Sequence, residues 1–210
     1  MSEIEETLNF DKVFWDNGFY PLAGVDEVGR GALFGPVVAA AVILLKDRRI
    51  PSFCDSKSIG AKKREQLFSE LSENGHFFSV GVIDVEEIDK INILKATLKA
   101  MKIAIEGLNI MPSIAIVDGV HKPNVKCRVE TVVKGDRSSL SIAAASIVAK
   151  VVRDRMIVEL DSKYPGYGLK KNKGYGTKDH IEAIFKKGPT PLHRKSFKPI
   201  SLFGESLWHQ

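Results

Sequence analysis

The chain has 210 residues, 44% hydrophobic and 27% charged, with a formal net charge of +5. That length and apolar content suit one globular domain, 1–210, with a sizeable core. The longest apolar run, Val37–Leu45, is too short to cross a bilayer, which excludes a helical membrane protein.

The two cysteines, Cys54 and Cys127, lack a CxxC spacing and read as free thiols in a reducing, cytoplasmic setting rather than a disulfide or zinc site. The start, MSEIEETLNF, is acidic and has no basic-then-apolar leader pattern, so no secretion signal is expected. Residues 150–198 hold 13 of the 31 Lys and Arg but only 5 of the 26 Asp and Glu. A basic C-terminal third beside an acidic remainder suggests a polyanion partner; a solvated lysine face is the plainer alternative.

In chain order, Met1–Asp16 reads as a helical lead-in. Tyr20–Val28 is the first expected strand and Pro36–Leu45 the second, apolar enough for the middle of a covered sheet. The short GRGALFG connection between them predicts an antiparallel pair. After the polar turn Asp47–Pro51, Ser58 is a candidate cap for a helix over Ala61–Leu71 that ends at Asn74-Gly75. Phe77–Val85 predicts a third strand. Asn92 can cap a helix whose Leu94, Leu98, Met101, Ile105 and Leu108 form one apolar stripe, read as core packing. Ser113–Asp118 is a strand after a long helix and is expected to run parallel to an earlier one. Arg128–Val133 is another strand, followed by Lys134-Gly135-Asp136. Ser139–Val152, rich in alanine, predicts a helix buried on most sides that re-emerges at Arg153-Asp154-Arg155. Asp154 is read as a salt-bridge partner of its flanking arginines before a fifth site acid.

Tyr164–Lys178 combines glycines, tyrosines and lysines, Lys173 among them, as a loop able to meet phosphates and to stack on sugars or bases. Thr177 can cap a short helix, Lys178–Phe185. The tail, with Leu202, Phe203, Leu207 and Trp208, is expected to fold back on the core. The whole reads as one mixed α/β layer structure, with a sheet-and-helix core over about 20–160 and a basic segment over about 161–210.

The chemistry centres on Leu22–Pro36, LAGVDEVGRGALFGP. Asp26 and Glu27 close an apolar run and are followed at once by glycines, which let backbone approach a ligand closely. Adjacent residues of a regular strand face opposite ways, so sharing one site requires the strand to distort or end there. An ordinary acidic turn is the alternative for Asp-Glu alone. Asp118 and Asp136 also stand at or near strand ends, where α/β sheets gather ligands. Four carboxylates brought together repel one another and call for cations, and hard oxygen ligands select Mg²⁺ or Mn²⁺. Two such ions can activate water and stabilise a leaving oxygen in phosphodiester hydrolysis.

GVDEVGRGALFGPVVAAAVIL, DSKSI, AIVDG, VKGDRSSLSIAAASIVAKVVRD, YGLKKNKGYGTKDH and GPTPLHRKSF follow in order over roughly residues 20–198. Together they resemble bacterial ribonuclease HII. The resemblance implies a ribonuclease H-like fold, a five-stranded mixed sheet flanked by helices with a helical C-terminal part. It implies cleavage of RNA in RNA–DNA hybrids and incision 5′ to a ribonucleotide embedded in duplex DNA, leaving 3′-hydroxyl and 5′-phosphate ends. Asp26 would bridge two metals, Asp136 would serve the side of the attacking water, and Glu27 and Asp118 the leaving-group side. Gly29, Arg30 and Gly31 would read the 2′-hydroxyl with backbone groups. Tyr175 would stack on the next sugar; a loop aromatic packing on its own glycines is the reading without the family. Lys57 in DSK is a candidate phosphate contact, beside a turn-capping role for Asp55 and Ser56. Ala32 and Phe34 stand where the family has proline and a small residue, which bears on substrate discrimination. A monomer is expected, and a replication-clamp contact through the tail stays open. Two other readings stand beside this one: another ribonuclease H-like metal nuclease, and a non-catalytic nucleic-acid binder.

Overall fold

The computed structural model describes residues 3–51, 53 and 59–203. Five strands, β1 (Leu22–Val28), β2 (Val37–Ile43), β3 (Phe77–Ile83), β4 (Ile114–Asp118) and β5 (Arg128–Val132), form one sheet in the order β3-β2-β1-β4-β5. The short link through residues 29–36 makes β1–β2 antiparallel, and β2–β3 is antiparallel across a longer connection that carries α2. β4 comes after the crossover helices and pairs parallel to β1, and β5 pairs parallel to β4. All seven residues of β2 are buried, which fits its unbroken apolar run.

The helices are α1 (Glu3–Asp16), α2 (Ala61–Glu73), α3 (Val85–Ile91), α4 (Ile93–Glu106), α5 (Gly135–Ser138), α6 (Leu140–Lys163), α7 (Leu169–Asn172) and α8 (Lys178–Lys187), with a 3₁₀ turn at Ile200–Leu202. One sheet face packs on α4 through Ala23, Val25, Ala39, Ala41, Ala100 and Ala104. The other packs on α6 and α2 through Ala40, Val42, Leu67, Leu71, Ala144 and Val148. Gly24 makes the second contact close: a Cβ there would run into the Ser141 backbone, so only glycine lets α6 lie on β1. The C-terminal elements gather on a separate cluster of Phe34, Ile157, Tyr167, Leu169, Ile184 and Ile200.

α1 is tied to the start of α6 by Asp11. Its carboxylate accepts from Ser139 Oγ at 2.6 Å, Ser141 Oγ at 2.7 Å and the Ser141 amide at 2.9 Å. Burial, opposed by these bonds, raises its pKa from 3.8 to about 6.

Several expectations are corrected. The third strand stops at Ile83, because Asp84 accepts from the Glu87 amide at 2.9 Å and caps α3, which takes Val85 as its first residue. The helix expected over Ser139–Val152 continues to Lys163, and Arg153 does not re-emerge but is fully buried. Asp154 pairs with Lys150 one turn back at 2.8 Å, while Arg155 pairs with Glu65. Gly60, not Ser58, precedes α2 as its cap residue, and Ser58 lies outside the described residues. The loop over Tyr164–Lys178 contains α7. On α4, Met101 and Ile105 are buried, but Leu94 and Leu98 are half-exposed and the buried face is widened by Ala96, Ala100 and Ala104; Leu108, also buried, lies past the helix end at Glu106. Phe203 packs on Phe185 with centroids 5.2 Å apart, and Leu202 is exposed. Leu207 and Trp208 lie outside the described residues.

Candidate active site

The carboxyl end of β1 opens on a cleft of about 460 Å³ lined by Asp26, Glu27, residues 28–31, Arg64, Asp118, Ser146, Lys150 and Tyr175. β1 neither distorts nor ends at its acids: its ladder with β2 runs on through Val28↔Val38. Its pairing with β4 stops at Val25↔Val117, so that side of β1 is open from Asp26 onward. Strand alternation is kept. Asp26 lies on the α6 side, bonded to Ser146, and Glu27 on the α4 side, bordering a smaller hollow lined by Leu94, Thr97, Leu98 and Met101. The acids meet because the cleft wraps around the open edge between the two faces.

Asp26 is buried and its carboxylate accepts the Glu27 amide at 2.7 Å. Burial, then the Glu27 and Asp118 charges, push its pKa well above the ordinary carboxylate value. Glu27 is raised too, chiefly by burial, and Arg30 opposes this across a 3.1 Å ion pair. Asp118 ends β4, and its Oδ1 accepts the Gly135 amide at 2.7 Å. That bond draws α5 to the site, and Asp136 is buried in its first turn without lining the cleft.

Three oxygen-donor side chains that repel one another in one cleft fit a hard divalent cation. Among the described residues, no three His, Cys, Asp or Glu side chains converge closely enough to hold an ion, so the acids share a cleft without forming a finished cage.

The glycine turn is gripped from beneath by two buried guanidiniums. Arg153 donates to the carbonyls of Phe34 at 3.0 Å, Pro36 at 3.0 Å and Lys173 at 2.9 Å. Arg194 donates twice to Gly35 O, at 2.9 and 3.0 Å, and once to Arg30 O at 2.9 Å. Gly29, at φ 89°, presses on Arg153, and a Cβ there would overlap its Nε. Among the described residues, a Cβ at Gly31 would meet nothing within 4 Å, so their packing does not demand that glycine.

Tyr175 forms a β-bridge to Ala32, and its ring faces Arg153 Cζ at 5.4 Å and Lys150 Nζ at 5.8 Å. Its ring thus stands beside two cations at the cleft wall. Phe34 is fully buried, edge-on to Tyr164 and His193, and faces away from the cleft. Lys173 lines an adjacent hollow with Arg64 and Arg155. Lys57 lies outside the described residues. Sequence reasoning did not single out Arg64, Ser146 or Lys150 as site residues. Ser146 and Lys150 stand four apart in an otherwise apolar stretch of α6, which was the available signal.

A five-stranded mixed sheet with acids at the ends of its central strands defines an α/β nuclease of the ribonuclease H-like fold. A family model described as Ribonuclease HII matches residues 23–200. The Ribonuclease HII of Caldicellulosiruptor bescii is 50% identical over 197 residues, covering 94% of this chain and 96% of its own. That of Endomicrobium trichonymphae is 50% identical over 92% of each chain. Among solved structures, the ribonuclease H2 of Pyrococcus horikoshii OT3 superposes with a TM-score of 0.72 at 28% identity, over 86% of this chain and 95% of its own. The RNase HII in the PCNA:RNase HII complex from Archaeoglobus fulgidus gives 0.68 at 27% identity, over 84% and 95%. The chain belongs to the ribonuclease HII family and is a hydrolase of the ribonuclease H type. No helix among the described residues is long and apolar enough to cross a membrane.

Proposed function

We propose that the protein is an endoribonuclease that hydrolyses the RNA strand of RNA–DNA hybrids and incises 5′ to ribonucleotides embedded in duplex DNA, leaving 3′-hydroxyl and 5′-phosphate ends. The observation that carries the reading is the single cleft in which Asp26, Glu27 and Asp118 face the glycine turn, Tyr175 and the cations Arg64 and Lys150. The reading takes residues 1–210 as one catalytic unit.

Asp26, Glu27, Asp118 and Asp136 would hold two Mg²⁺ or Mn²⁺ ions. Bound there, the ions supply activation of the attacking water and stabilisation of the leaving oxygen. Asp26, whose charge is felt with those of Glu27 and Asp118, would be the carboxylate common to both ions, Asp136 would serve the side of the attacking water, and Glu27 and Asp118 would serve the leaving-group side. Ser146 keeps Asp26 oriented toward the cleft, and Arg30 restrains Glu27.

The backbone of residues 29–31 reads the 2′-hydroxyl, the group that separates RNA from DNA at one position. Two features support this: the guanidiniums fix the turn, and Gly31 leaves space where a side chain would stand. Tyr175, which lines the cleft, would stack on the next sugar. Arg64, Lys150 and Lys173 carry the flanking phosphates. A replication-clamp partner draws its support from the Archaeoglobus fulgidus complex.

The test uses duplex DNA with one embedded ribonucleotide, the all-DNA duplex, and Mg²⁺ or Mn²⁺ supplied separately. One incision 5′ to the ribonucleotide, absent from the control and lost in Asp26→Asn, is the expected result. Cleavage of the all-DNA duplex would instead favour a nuclease without 2′-hydroxyl recognition. Activity surviving in Asp26→Asn would refute the site.

A further inference from the structure

Behind Tyr175, away from the carboxylates, two fully buried histidines touch. His193 Nε2 and His180 Nε2 are 3.3 Å apart. His193 Nδ1 receives the Thr190 backbone amide at 2.9 Å, and His180 Nδ1 faces the Tyr175 carbonyl at 2.9 Å. An amide can only donate and a carbonyl can only accept. His193 Nδ1 must therefore be bare, which puts its proton on Nε2. His180 must carry its proton on Nδ1, which leaves its Nε2 bare and ready to accept. The Nε2 contact then has one direction, and four groups line up as Thr190 N–H, His193, His180 and Tyr175 C=O. A second proton on either ring would set two donors face to face.

The surroundings keep both rings in this state. Tyr167 and Phe34 enclose His193 with centroids 5.3 and 5.1 Å away, and Tyr167 stands edge-on to His180. Burial, and then His180, drive the His193 pKa down to about 3, and burial lowers that of His180.

The pair also joins the two ribbons that flank the glycine turn. On one side Tyr175 bridges Ala32, and the Gly174 carbonyl accepts the amides of Leu33 and Phe34 at 2.8 and 3.2 Å. On the other, His193 bridges Phe34, and Arg194 N donates to Leu33 O at 2.8 Å. The histidines close the third side of this triangle.

We propose that His180 and His193 are positioning residues: a directional, neutral relay that fixes the Tyr175 backbone, and so the ring, against the glycine turn. The link to substrate choice rests on the role given to Tyr175 above; the relay itself does not.

Two measurements test it on the full chain. In ¹⁵N-labelled wild-type protein at neutral pH, long-range ¹H–¹⁵N imidazole spectra are expected to show His193 protonated on Nε2 alone and His180 on Nδ1 alone. The opposite tautomer or a charged ring at either position overturns the relay. The second measurement compares two variants. His180→Asn keeps a donor where Nδ1 stood, toward the Tyr175 carbonyl, and loses the acceptor for His193. His180→Gln keeps an acceptor toward His193 and loses the donor. His180→Gln is expected to lose about tenfold in kcat/KM at an embedded ribonucleotide, mostly through KM, and under about threefold on a long hybrid. His180→Asn is expected to stay within about threefold on both. Equal losses in the two variants on both substrates, in step with their melting temperatures, would reduce the pair to packing and overturn the positioning role. If wild-type protein leaves the embedded ribonucleotide uncut, the role of Tyr175 fails, while the tautomers still decide the relay.

Discussion

Arg153 offers a stringent test of how the glycine turn is held. Its side chain is fully exchanged from water for three carbonyls, those of Phe34, Pro36 and Lys173. Among the described residues no carboxylate pairs with it, and burial lowers its pKa. Arg153→Lys keeps the charge but concentrates the donors on one nitrogen, which cannot reach three carbonyls set for a planar fork. Losing two bonds to a charged group, at about 1.5–3 kcal/mol each, predicts a loss of at least about 3 kcal/mol. For a chain of this size that lowers Tm by roughly 6–12 °C. Urea unfolding followed by circular dichroism checks this, with the midpoint falling and the slope m unchanged. A loss under about 1 kcal/mol would mean that water or a shifted backbone meets the carbonyls, and that the turn does not depend on the fork.

Three further outcomes follow from the same geometry. Asp26→Asn removes a charge that burial, Glu27 and Asp118 all oppose, so without added divalent ions its Tm is expected to equal or exceed wild type while cleavage is abolished; a large fall in Tm would contradict this. Asp11 has a folded pKa of about 6 against 3.8 when exposed, so its folded state favours the protonated form. The stability it contributes is complete below about 3.8 and is lost as pH rises to about 6, a change of about 3 kcal/mol. Urea midpoints of wild type and Asp11→Asn are therefore expected to diverge in favour of the variant as pH rises from 3.8 to about 6, and parallel curves would refute it. Gly31→Ala adds a methyl that meets no atom of the described residues within 4 Å, so stability is expected to change by no more than about 0.5 kcal/mol while incision at an embedded ribonucleotide falls about tenfold or more. Unchanged incision would exclude close backbone approach at that position.

Much of the fold was legible because the apolar runs are long and their acids terminal. The strand ending at Asp118, the antiparallel turn through residues 29–36 and the α6 burial all follow from local pattern. α3 was not legible as a separate element because it is short and its Val85 reads as the end of β3, although Asp84 and the charged pairs between Val85, Ile88 and Ile91 mark the change. Arg153 looked like the end of a buried stretch because an arginine is normally solvated. Its partners are carbonyls, which every residue has and no sequence distinguishes. Asp11 was hidden for the converse reason, an acid in an acidic lead-in whose serine partners lie far along the chain. The departure at Phe34 pointed at the substrate side, yet its ring anchors the C-terminal cluster beneath the turn. The carboxylates needed only position along strands, while their common cleft depended on where the β1–β4 pairing stops.

The clamp on the glycine turn has a consequence for the order in which the protein is made. The turn at 29–36 and the first two acids leave the ribosome early, but the groups that hold the turn come from residues 153, 174–175 and 192–194. A growing chain thus carries the cleft's first two carboxylates for most of its synthesis without the full support that sets the neighbouring turn. The last part of that support is Arg194, and a product cut short before residue 190 inherits the acids and the Arg153 fork but not the second guanidinium.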